Sequence, residues 1–259
     1  IDIPLDIQNM RIEPEKLERF VPETNSSFTP LQNELDYVRN ALSKAKRPVI
    51  LVGNGVRSAN AVADFEQFLS KYPIPVVYSA SAPDTYGTEH DLSIGSVGIM
   101  GCSRAGNFAI QNSDLILVLG NRLSPMTTGS DYCKFGRSGK TIVVDIDPVE
   151  HSKKTVSIDK LIISDVGDFL RELINYKLSP TSMDWRDKCI KWKKLFPNCE
   201  DKFKGGELVD LYYLSEALSE NLLESSVVVT DSGLAELILP SNISFRKGMR
   251  CIHPASQGS

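Results

Sequence analysis

Four short segments of the chain combine residue types that suit contact with a nucleotide. Gly53-Asn54-Gly55 would let a backbone approach a ligand closely, because glycine has no side chain. The loop Gly95–Gly101 precedes a helix N-terminus, where unpaired N–H groups favour an anion. Gly120-Asn121-Arg122 supplies a guanidinium, and Asp145 and Asp147 supply carboxylates that can accept hydrogen bonds from ribose hydroxyls. Together these segments predict a nucleotide-shaped crevice.

Each of these features also has a plainer explanation. The glycines can serve tight turns alone, and Arg122 can form an ordinary structural ion pair. The third glycine of the dinucleotide-binding fingerprint is missing, because Arg57, Ser58 and Ala59 occupy the positions where it would follow. This absence argues against a stand-alone dinucleotide-dependent oxidoreductase.

The sequence contains no evident catalytic constellation. His90, His151 and His253 lie far apart and are expected at the surface or in loops. The two aspartates introduced above fall on alternate faces of a strand, so they are not expected to act as one acid–base pair. Cys102 stands beside a helix start, a position that can lower the pKa of its thiol, but a small buried residue is the favoured interpretation.

The elements that must position these segments alternate along the chain. Continuous apolar runs predict strands at residues 49–52, 75–78, 115–119, 141–144 and 161–163. Apolar residues at three-to-four spacing predict helices near residues 31–45, 62–72, 103–112 and 166–176. The alternation predicts an α/β doubly wound parallel sheet, a Rossmann-like central domain with partial α/β pieces beside it. In such a sheet, ligands bind beyond the carboxyl ends of the strands.

A lysine-rich helix, predicted at residues 185–196, interrupts this alternation. A membrane-binding or calmodulin-like role is one interpretation, and a solvated linker helix anchored by Trp185 and Trp192 is the favoured one. Another amphipathic helix is predicted at residues 208–223, and a strand at residues 227–230 that runs into a loop. A second α/β unit is therefore expected to begin there.

Composition limits the class of protein. The chain has 259 residues, of which 41% are hydrophobic, and a formal net charge of −4, which is typical of a globular protein and gives no electrostatic footprint for nucleic acid. Its apolar runs are far shorter than about 18 residues, so no membrane span is predicted. Five scattered cysteines without a Cys-x-x-Cys pair argue against a zinc site or disulfide framework and favour a reducing compartment, the cytoplasm.

The two ends of the chain are expected to be those of a fragment. Residues 1–6 are interpreted as the second half of a buried strand that leaves a sheet, and residues 253–259 as an unfinished loop. Residues 7–30 are mixed in character and contain three prolines and a polar stretch, so they are predicted to be a connector.

Five segments, taken in their order along the chain, carry a family resemblance. They are Ile1–Gln8, Arg47–Gly55, Arg104–Leu115 followed by Leu119–Leu123, Val144–Pro148, and Val228–Gly233 with Pro254–Ser259. Together they resemble the acetolactate synthase-like family of thiamine-diphosphate enzymes. The resemblance implies the end of a pyrimidine-binding domain and a linker at 1–30, a central nucleotide-binding-like domain at 31–178, a linker helix at 179–206 and the start of a diphosphate-binding domain at 207–259.

The resemblance implies a decarboxylase or carboligase. Such an enzyme couples decarboxylation of a 2-oxo acid such as pyruvate to addition onto a carbonyl acceptor, with thiamine diphosphate as electron sink and magnesium holding its diphosphate. The family's activating glutamate and its Gly-Asp-Gly…Asn metal motif have no counterpart here, so this segment is expected to be mainly structural and inactive alone. A homodimer or homotetramer is implied for the full protein. The alternative is a non-catalytic or vestigial nucleotide-binding module that supports subunit packing.

The same resemblance implies positions that would contact cofactors. In the central domain they are Gly53, Asn54, Gly55, Gly98, Gly120, Arg122, Asp145, Asp147 and Asp165. Ser232 and Gly233 fall where a loop of the third domain approaches the diphosphate, and no catalytic or metal-binding residue is carried over. Met100 replaces a histidine and Met126 replaces a second arginine of the family pattern. The loss of a charged bidentate donor predicts that FAD binding is weak or absent.

Overall fold

Strands and helices alternate in the computed structural model, which describes residues 3–21 and 28–252. Within those ranges, six parallel strands form a main sheet and two parallel strands form a small one. The main sheet contains β1 Pro48–Val52, β2 Val76–Tyr78, β3 Ser93–Ser96, β4 Leu115–Leu119, β5 Lys140–Asp145 and β6 Lys160–Ile163; the small sheet contains β7 Val227–Val229 and β8 Arg250–Ile252. The helices are α1 Leu5–Gln8, α2 Gln32–Lys44, α3 Gly55–Ser58, α4 Val62–Lys71, α5 Arg104–Asn112, α6 Pro125–Thr128, α7 Val166–Leu173, α8 Met183–Leu195, α9 Leu211–Asn221 and α10 Leu234–Asn242.

The strand order of the main sheet places a crevice at its centre. The order is β3-β2-β1-β4-β5-β6, and every neighbouring pair is parallel. Successive connections therefore run outward from β1 in one direction and from β4 in the other. At this switch point the connections that follow β1 and β4 leave toward opposite sides of the sheet, and ligand crevices in such sheets form beyond the strand ends there. The predicted doubly wound, Rossmann-like sheet is confirmed.

The alternation of side chains along each strand fills two hydrophobic layers. Ile50 and Val52 face the layer formed with α2, α4 and α7, and Val49 and Leu51 face the layer formed with α5 and α8. All five residues of β1 are buried, because helices cover both faces of the sheet. This double coverage explains why the strands have continuous apolar sequences.

The lysine-rich helix α8 belongs to the second layer. The indole of Trp185 is 3% exposed, and its Nε1 donates a hydrogen bond of 2.9 Å to the carbonyl of Pro48 at the start of β1. Trp192 packs edge-on against Trp185 and Phe108. The predicted tryptophan anchors are thus present, and they fix α8 to the sheet.

The small sheet β7–β8 packs with α9 and α10 around its own core of Ile243, Phe245 and Met249. Main-chain contacts attach this unit to the central domain. The N–H of Thr88 donates to the carbonyl of Phe245 at 2.8 Å, and the N–H of Phe245 donates to Thr88 Oγ1 at 2.7 Å. The loop after β2 therefore holds the unit in register with the main sheet.

Two sequence-based expectations are wrong. Residues 3–6 do not continue a buried strand: Leu5–Gln8 is an exposed helical turn preceded by Pro4, which lacks the N–H that a sheet ladder needs. The segment predicted as a glycine-rich loop at 95–101 begins inside β3, because Gly95 and Ser96 pair with β2. The remaining residues of the first expected strand and the loop at 253–259 lie outside the described residues.

Candidate functional site

A cavity of about 540 Å³ lies beyond the carboxyl ends of the central strands. Six of the predicted cofactor-contacting residues surround it: Gly53, Asn54, Gly55, Gly120, Arg122 and Asp145. Its volume is within the range of small-molecule sites. The fold therefore brings together residues that are as many as 92 positions apart in the sequence, although their contact with a ligand stays a prediction.

The glycines of the crevice pack closely against backbone atoms of the neighbouring turn. A Cβ at Gly53 would lie 2.2 Å from the carbonyl oxygen of Gly120, and a Cβ at Gly55 would lie 2.5 Å from the Cα of Gly120. The N–H of Gly53 donates to the carbonyl of Leu119 at 3.0 Å, and the N–H of Gly55 donates to that of Gly120 at 2.9 Å. These glycines therefore join the turns after β1 and β4, and their N–H groups do not form a phosphate cradle.

Arg122 lies at the rim of the cavity in a cluster of charges. Its Nε donates to Glu150 Oε1 at 3.2 Å, and its guanidinium remains largely exposed. The same Glu150 oxygen accepts a hydrogen bond from the ammonium of Lys153, which also donates to the carbonyl of Arg122 at 2.8 Å. These two salt bridges lower the pKa of Glu150, with Lys153 the larger cause. The structural ion pair considered for Arg122 is thus present.

Asp145 ends β5 against a buried histidine. His151 Nε2 lies 3.2 Å from Asp145 Oδ2, and the imidazole is 1% exposed. The N–H of Asp147 donates to Asp145 Oδ1 at 3.1 Å. Burial alone would raise the pKa of the Asp145 carboxyl, but the nearby imidazole of His151 and the hydrogen bonds from the backbone lower it overall. His151 lies in the connection after β5, as the loop expectation had it, but its ring is not at the surface, because it is buried against this carboxylate.

Three other predicted residues are not among those that line the cavity. Asp147 is exposed, and its Oδ1 accepts from the N–H groups of Val149 and Glu150, closing a turn. Asp165 lines a neighbouring pocket of about 140 Å³ and caps the N-terminus of α7. Gly98 lies under the carbonyl of Met126, which a Cβ would meet at 2.5 Å. In this structure, each of these three residues supports the local backbone conformation.

The N-termini of α5 and α7 are capped by side chains of the protein, whereas those of α3, α6 and α10, whose first-turn residues line the cavity, have no side-chain cap. Asp165 Oδ1 accepts from the N–H groups of Gly167 and Asp168 at 2.8 and 3.1 Å. Ser103 Oγ accepts from the N–H of Gly106 at 3.3 Å at the start of α5. The anion expected before α5 would therefore compete with a residue that already fills that role.

Ser232 and Gly233 lie apart from this cavity, in the loop between β7 and α10. Gly233 has a φ of +79°, and a Cβ there would meet no atom of the described residues within 4 Å. Its left-handed backbone, unlike that of the packed glycines of the crevice, has no neighbour among those residues. The loop can accept close approach by another group, as the predicted cofactor contact requires.

Several lining residues were missed by the sequence reasoning. They are Ser79, Ser81, Ser124, Thr127, Glu236 and Leu237. The serines after β2 could have been predicted as lining residues, because small polar residues directly follow an apolar run there. Glu236 and Leu237 carried none, because α10 reaches the cavity only through the tertiary packing of the second unit.

Cys102 is partly buried and does not carry a low-pKa thiol. Burial raises the pKa of this thiol, although hydrogen bonds with Ser241, Ser96 and Met100 partly oppose the effect. The lowering considered for its position beside a helix start is therefore wrong, and the fully buried position that the sequence favoured is not observed either.

Replacing Asp145 by asparagine should make the free energy of unfolding less dependent on pH in the acidic range. Because the folded-state pKa of Asp145 is lowered, its stabilisation is complete above the ordinary carboxyl pKa and is lost as the pH falls through the folded value. We expect D145N to lower the free energy of unfolding by about 2 kcal/mol at pH 7, and the difference from wild type to shrink below about pH 4. Urea unfolding at pH 7 and 3.5 measures both values.

The control for this experiment is D131N, which alters an exposed aspartate paired with Lys134. Its effect should stay within about 0.5 kcal/mol at either pH. A D145N deficit of equal size at both pH values would contradict the role assigned to the charge.

The fold and crevice define an α/β nucleotide-binding-like domain with a cavity at the switch point of its parallel sheet. Residues 35–173 match the family described as thiamine pyrophosphate enzyme, central domain. Because the match spans more than half of the sequence, the chain belongs to the thiamine pyrophosphate enzyme family.

Relatives with curated names extend the similarity beyond the central domain. The acetolactate synthase large subunit of Corynebacterium glutamicum is 28% identical over all of this chain and 42% of its own length. A probable acetolactate synthase large subunit of Methanocaldococcus jannaschii is 30% identical over 90% of this chain and 41% of its own length. Acetolactate synthase isozyme 2 large subunit of Escherichia coli is 25% identical over all of this chain and 45% of its own length. The chain spans less than half the length of these relatives.

Hydropathy adds one further observation. Across residues 3–21 and 28–252, the helices are too short or too polar to cross a lipid bilayer.

Proposed function

We propose that the full-length protein is a thiamine-diphosphate-dependent 2-oxo acid decarboxylase or carboligase that resembles acetolactate synthase. The observation that carries this proposal is the alignment of acetolactate synthase large subunits with the whole chain, including the segments on both sides of the central domain. An alignment of that extent favours an enzyme over a non-catalytic or vestigial nucleotide-binding module. Pyruvate and a carbonyl acceptor are the proposed substrates.

The proposed cofactors are thiamine diphosphate and magnesium, which together would supply the carbanion chemistry of the full-length enzyme. Among the described residues, no three His, Cys, Asp or Glu side chains converge to hold a metal ion. These residues therefore do not fit magnesium, and no chemical step is assigned to them. A homodimer or homotetramer and a cytoplasmic location complete the proposal, the latter supported by the scattered cysteines.

Within that enzyme, the proposed role of this chain is mainly structural, with domain boundaries near residues 30, 178 and 206. The support is that the crevice residues serve the fold: glycines pack on glycines, and carboxylates cap turns and helices. We propose the residues around the crevice as a ligand-contacting set, with Ser232 and Gly233 contacting the diphosphate. FAD stays doubtful.

The activity test uses the intact, full-length protein. We expect release of carbon dioxide from pyruvate only when thiamine diphosphate and magnesium ions are both supplied. The absence of pyruvate turnover and of thiamine diphosphate binding in a folded, full-length sample would contradict the proposal.

Replacing Gly233 by alanine should weaken the use of thiamine diphosphate. Alanine in the left-handed region costs about 1–2 kcal/mol, so we expect roughly a 10-fold rise in the cofactor concentration that gives half-maximal activity. A cofactor titration of the full-length protein measures this shift.

The matched control is G205A. Gly205 has a φ of +84° and, like Gly233, no atom of the described residues within 4 Å of an added Cβ. Alanine would therefore also be placed at a positive φ, but the cofactor titration should not shift. Equal behaviour of the two variants would remove Gly233 from the proposed contact set.

A further inference from the structure

A second cavity lies where the central domain meets the unit built on β7 and β8. This junction cavity has a volume of about 150 Å³ and is lined by residues of β2, β3, α8 and α10 and by the segments that follow α8 and α10. Within the part of the chain that the structure describes, it shares no lining residue with the crevice. A buried water molecule needs only about 10–15 Å³, so the junction cavity has room for a ligand of several non-hydrogen atoms.

Lys193 supplies the junction cavity with a cation. Its Nζ donates to the carbonyls of Thr88 and His90, both at 2.8 Å, and the third N–H of the ammonium is left for a ligand. Among the described residues that line the cavity, Lys193 is the one that carries a charge. Burial lowers the pKa of Lys193 even though Glu89 and Asp91 oppose the shift. An anionic partner inside the cavity would therefore stabilise the charged form of this lysine.

Asn242 supplies a buried acceptor that lacks a donor. Its Nδ2 donates to the carbonyls of Gly101 and Ile238, at 2.7 and 2.6 Å. Because both partners are acceptors, the NH₂ group must face them, which fixes the position of Oδ1. This Oδ1 is buried and accepts no hydrogen bond from the described residues. A buried acceptor without a donor is unfavourable, so we expect a bound molecule to donate to it.

Hydroxyl groups and apolar side chains complete the lining. Tyr78, Ser93 and Ser244 contribute hydroxyls that can donate to a carboxylate or accept from a ligand. Burial raises the pKa of Tyr78, so its hydroxyl stays protonated. Ile94 and Ile243 give the cavity an apolar portion, which suits a short alkyl group.

We propose that the junction cavity binds a short hydroxy carboxylate, whose carboxylate pairs with Lys193 and whose hydroxyl donates to Asn242 Oδ1. Such a ligand satisfies both groups at once, whereas water alone would leave the buried ammonium without a counter-charge. The site is separate from the crevice, and it does not depend on the proposed decarboxylase or carboligase activity.

Three probes of similar size test this assignment by isothermal titration calorimetry of the full-length protein at low salt. They are lactate, propionate, which lacks the hydroxyl, and 1,2-propanediol, which lacks the charge. We expect lactate to bind at least about 10-fold more tightly than either of the others. Equal binding of lactate and propionate would show that water satisfies Asn242, and it would overturn the inference, as would a failure of lactate to bind.

Variants locate the bound lactate. K193Q keeps one N–H donor for the carbonyls but removes the charge, and it should weaken lactate binding about 10-fold. The matched control is K191Q, which removes the same charge from an exposed position of α8 and should leave the affinity unchanged. R122Q should also leave it unchanged, because Arg122 lines the crevice and not the junction cavity.

A loss of lactate binding in R122Q, or none in a folded K193Q, would place the ligand elsewhere and overturn the inference. Should K193Q fail to fold, S244A takes its place, because Ser244 is exposed and lines the cavity. We expect S244A to weaken lactate binding about 3-fold, and an unchanged affinity would count against the site. The pyruvate assay tests the enzymatic proposal separately.

Discussion

Replacing Gly53 by alanine should lower the free energy of unfolding by about 3 kcal/mol in the absence of any ligand. The added Cβ would lie 2.2 Å from the carbonyl oxygen of Gly120 and 2.7 Å from the Cα of Asn121. These are backbone atoms of a turn at the end of β4, so they cannot rotate away as a side-chain terminus can. The measurement is urea or thermal unfolding of wild type and variant.

This result would separate the two explanations of the glycine pair. If Gly53 served only to admit a ligand, G53A would keep its stability and lose binding. The control is G206A, where the nearest atom to the added Cβ is the carbonyl oxygen of Leu208 at 3.3 Å in an exposed loop. Its stability should change by less than about 1 kcal/mol. Comparable stability of G53A and G206A would refute the packing argument.

The second large effect is expected at Asp84. Its side chain is 2% exposed, and its Oδ2 accepts hydrogen bonds from Arg250 Nε and from the N–H of Cys251, both at 3.0 Å. Arg57 Nη2 lies 3.4 Å from the same oxygen. Because one buried carboxylate compensates two guanidinium groups, D84N should lower the free energy of unfolding by about 3 kcal/mol.

The same variant should loosen the junction with the small sheet. Arg250 and Cys251 belong to β8, so we expect faster protease cleavage within residues 207–252 of D84N, at protease concentrations that leave the wild type intact. The control is D36N, which alters an exposed pair with Arg39 at 3.4 Å and should change stability by less than about 0.5 kcal/mol. Slow cleavage of D84N, as in wild type, would show that other contacts hold β8.

Most of the main sheet was predictable because its strands are buried on both faces. The five predicted runs correspond to β1, β2, β4, β5 and β6, each an apolar segment bounded by turn residues. Strand β3 was missed because Ser93-Ile94-Gly95-Ser96 carries almost no apolar signal, although every residue in it is buried. Its pairing depends on the neighbouring β2 and on α5, which no local pattern encodes.

The site was predictable in position and less so in detail. Residues at strand ends converge at a switch point for topological reasons, so Arg122 and Asp145 could be placed together from sequence. The partners of these two side chains could not be predicted from the sequence. Arg122 pairs with Glu150, and Asp145 lies against the buried ring of His151. Such partners follow from the folding of the turn after β5.

The attachment of α8 has a practical bearing on how the central domain can be produced by itself. An expression boundary at residue 178 would remove Trp185, whose indole N–H bonds to the first residue of β1, and Lys193, whose ammonium bonds to the carbonyls of Thr88 and His90. The truncated protein would expose the apolar pocket that Trp185 fills and would leave two carbonyls without their lysine donor. Such a surface is prone to self-association. A recombinant version that retains residues up to 196 should remain dispersed at concentrations where the shorter one precipitates.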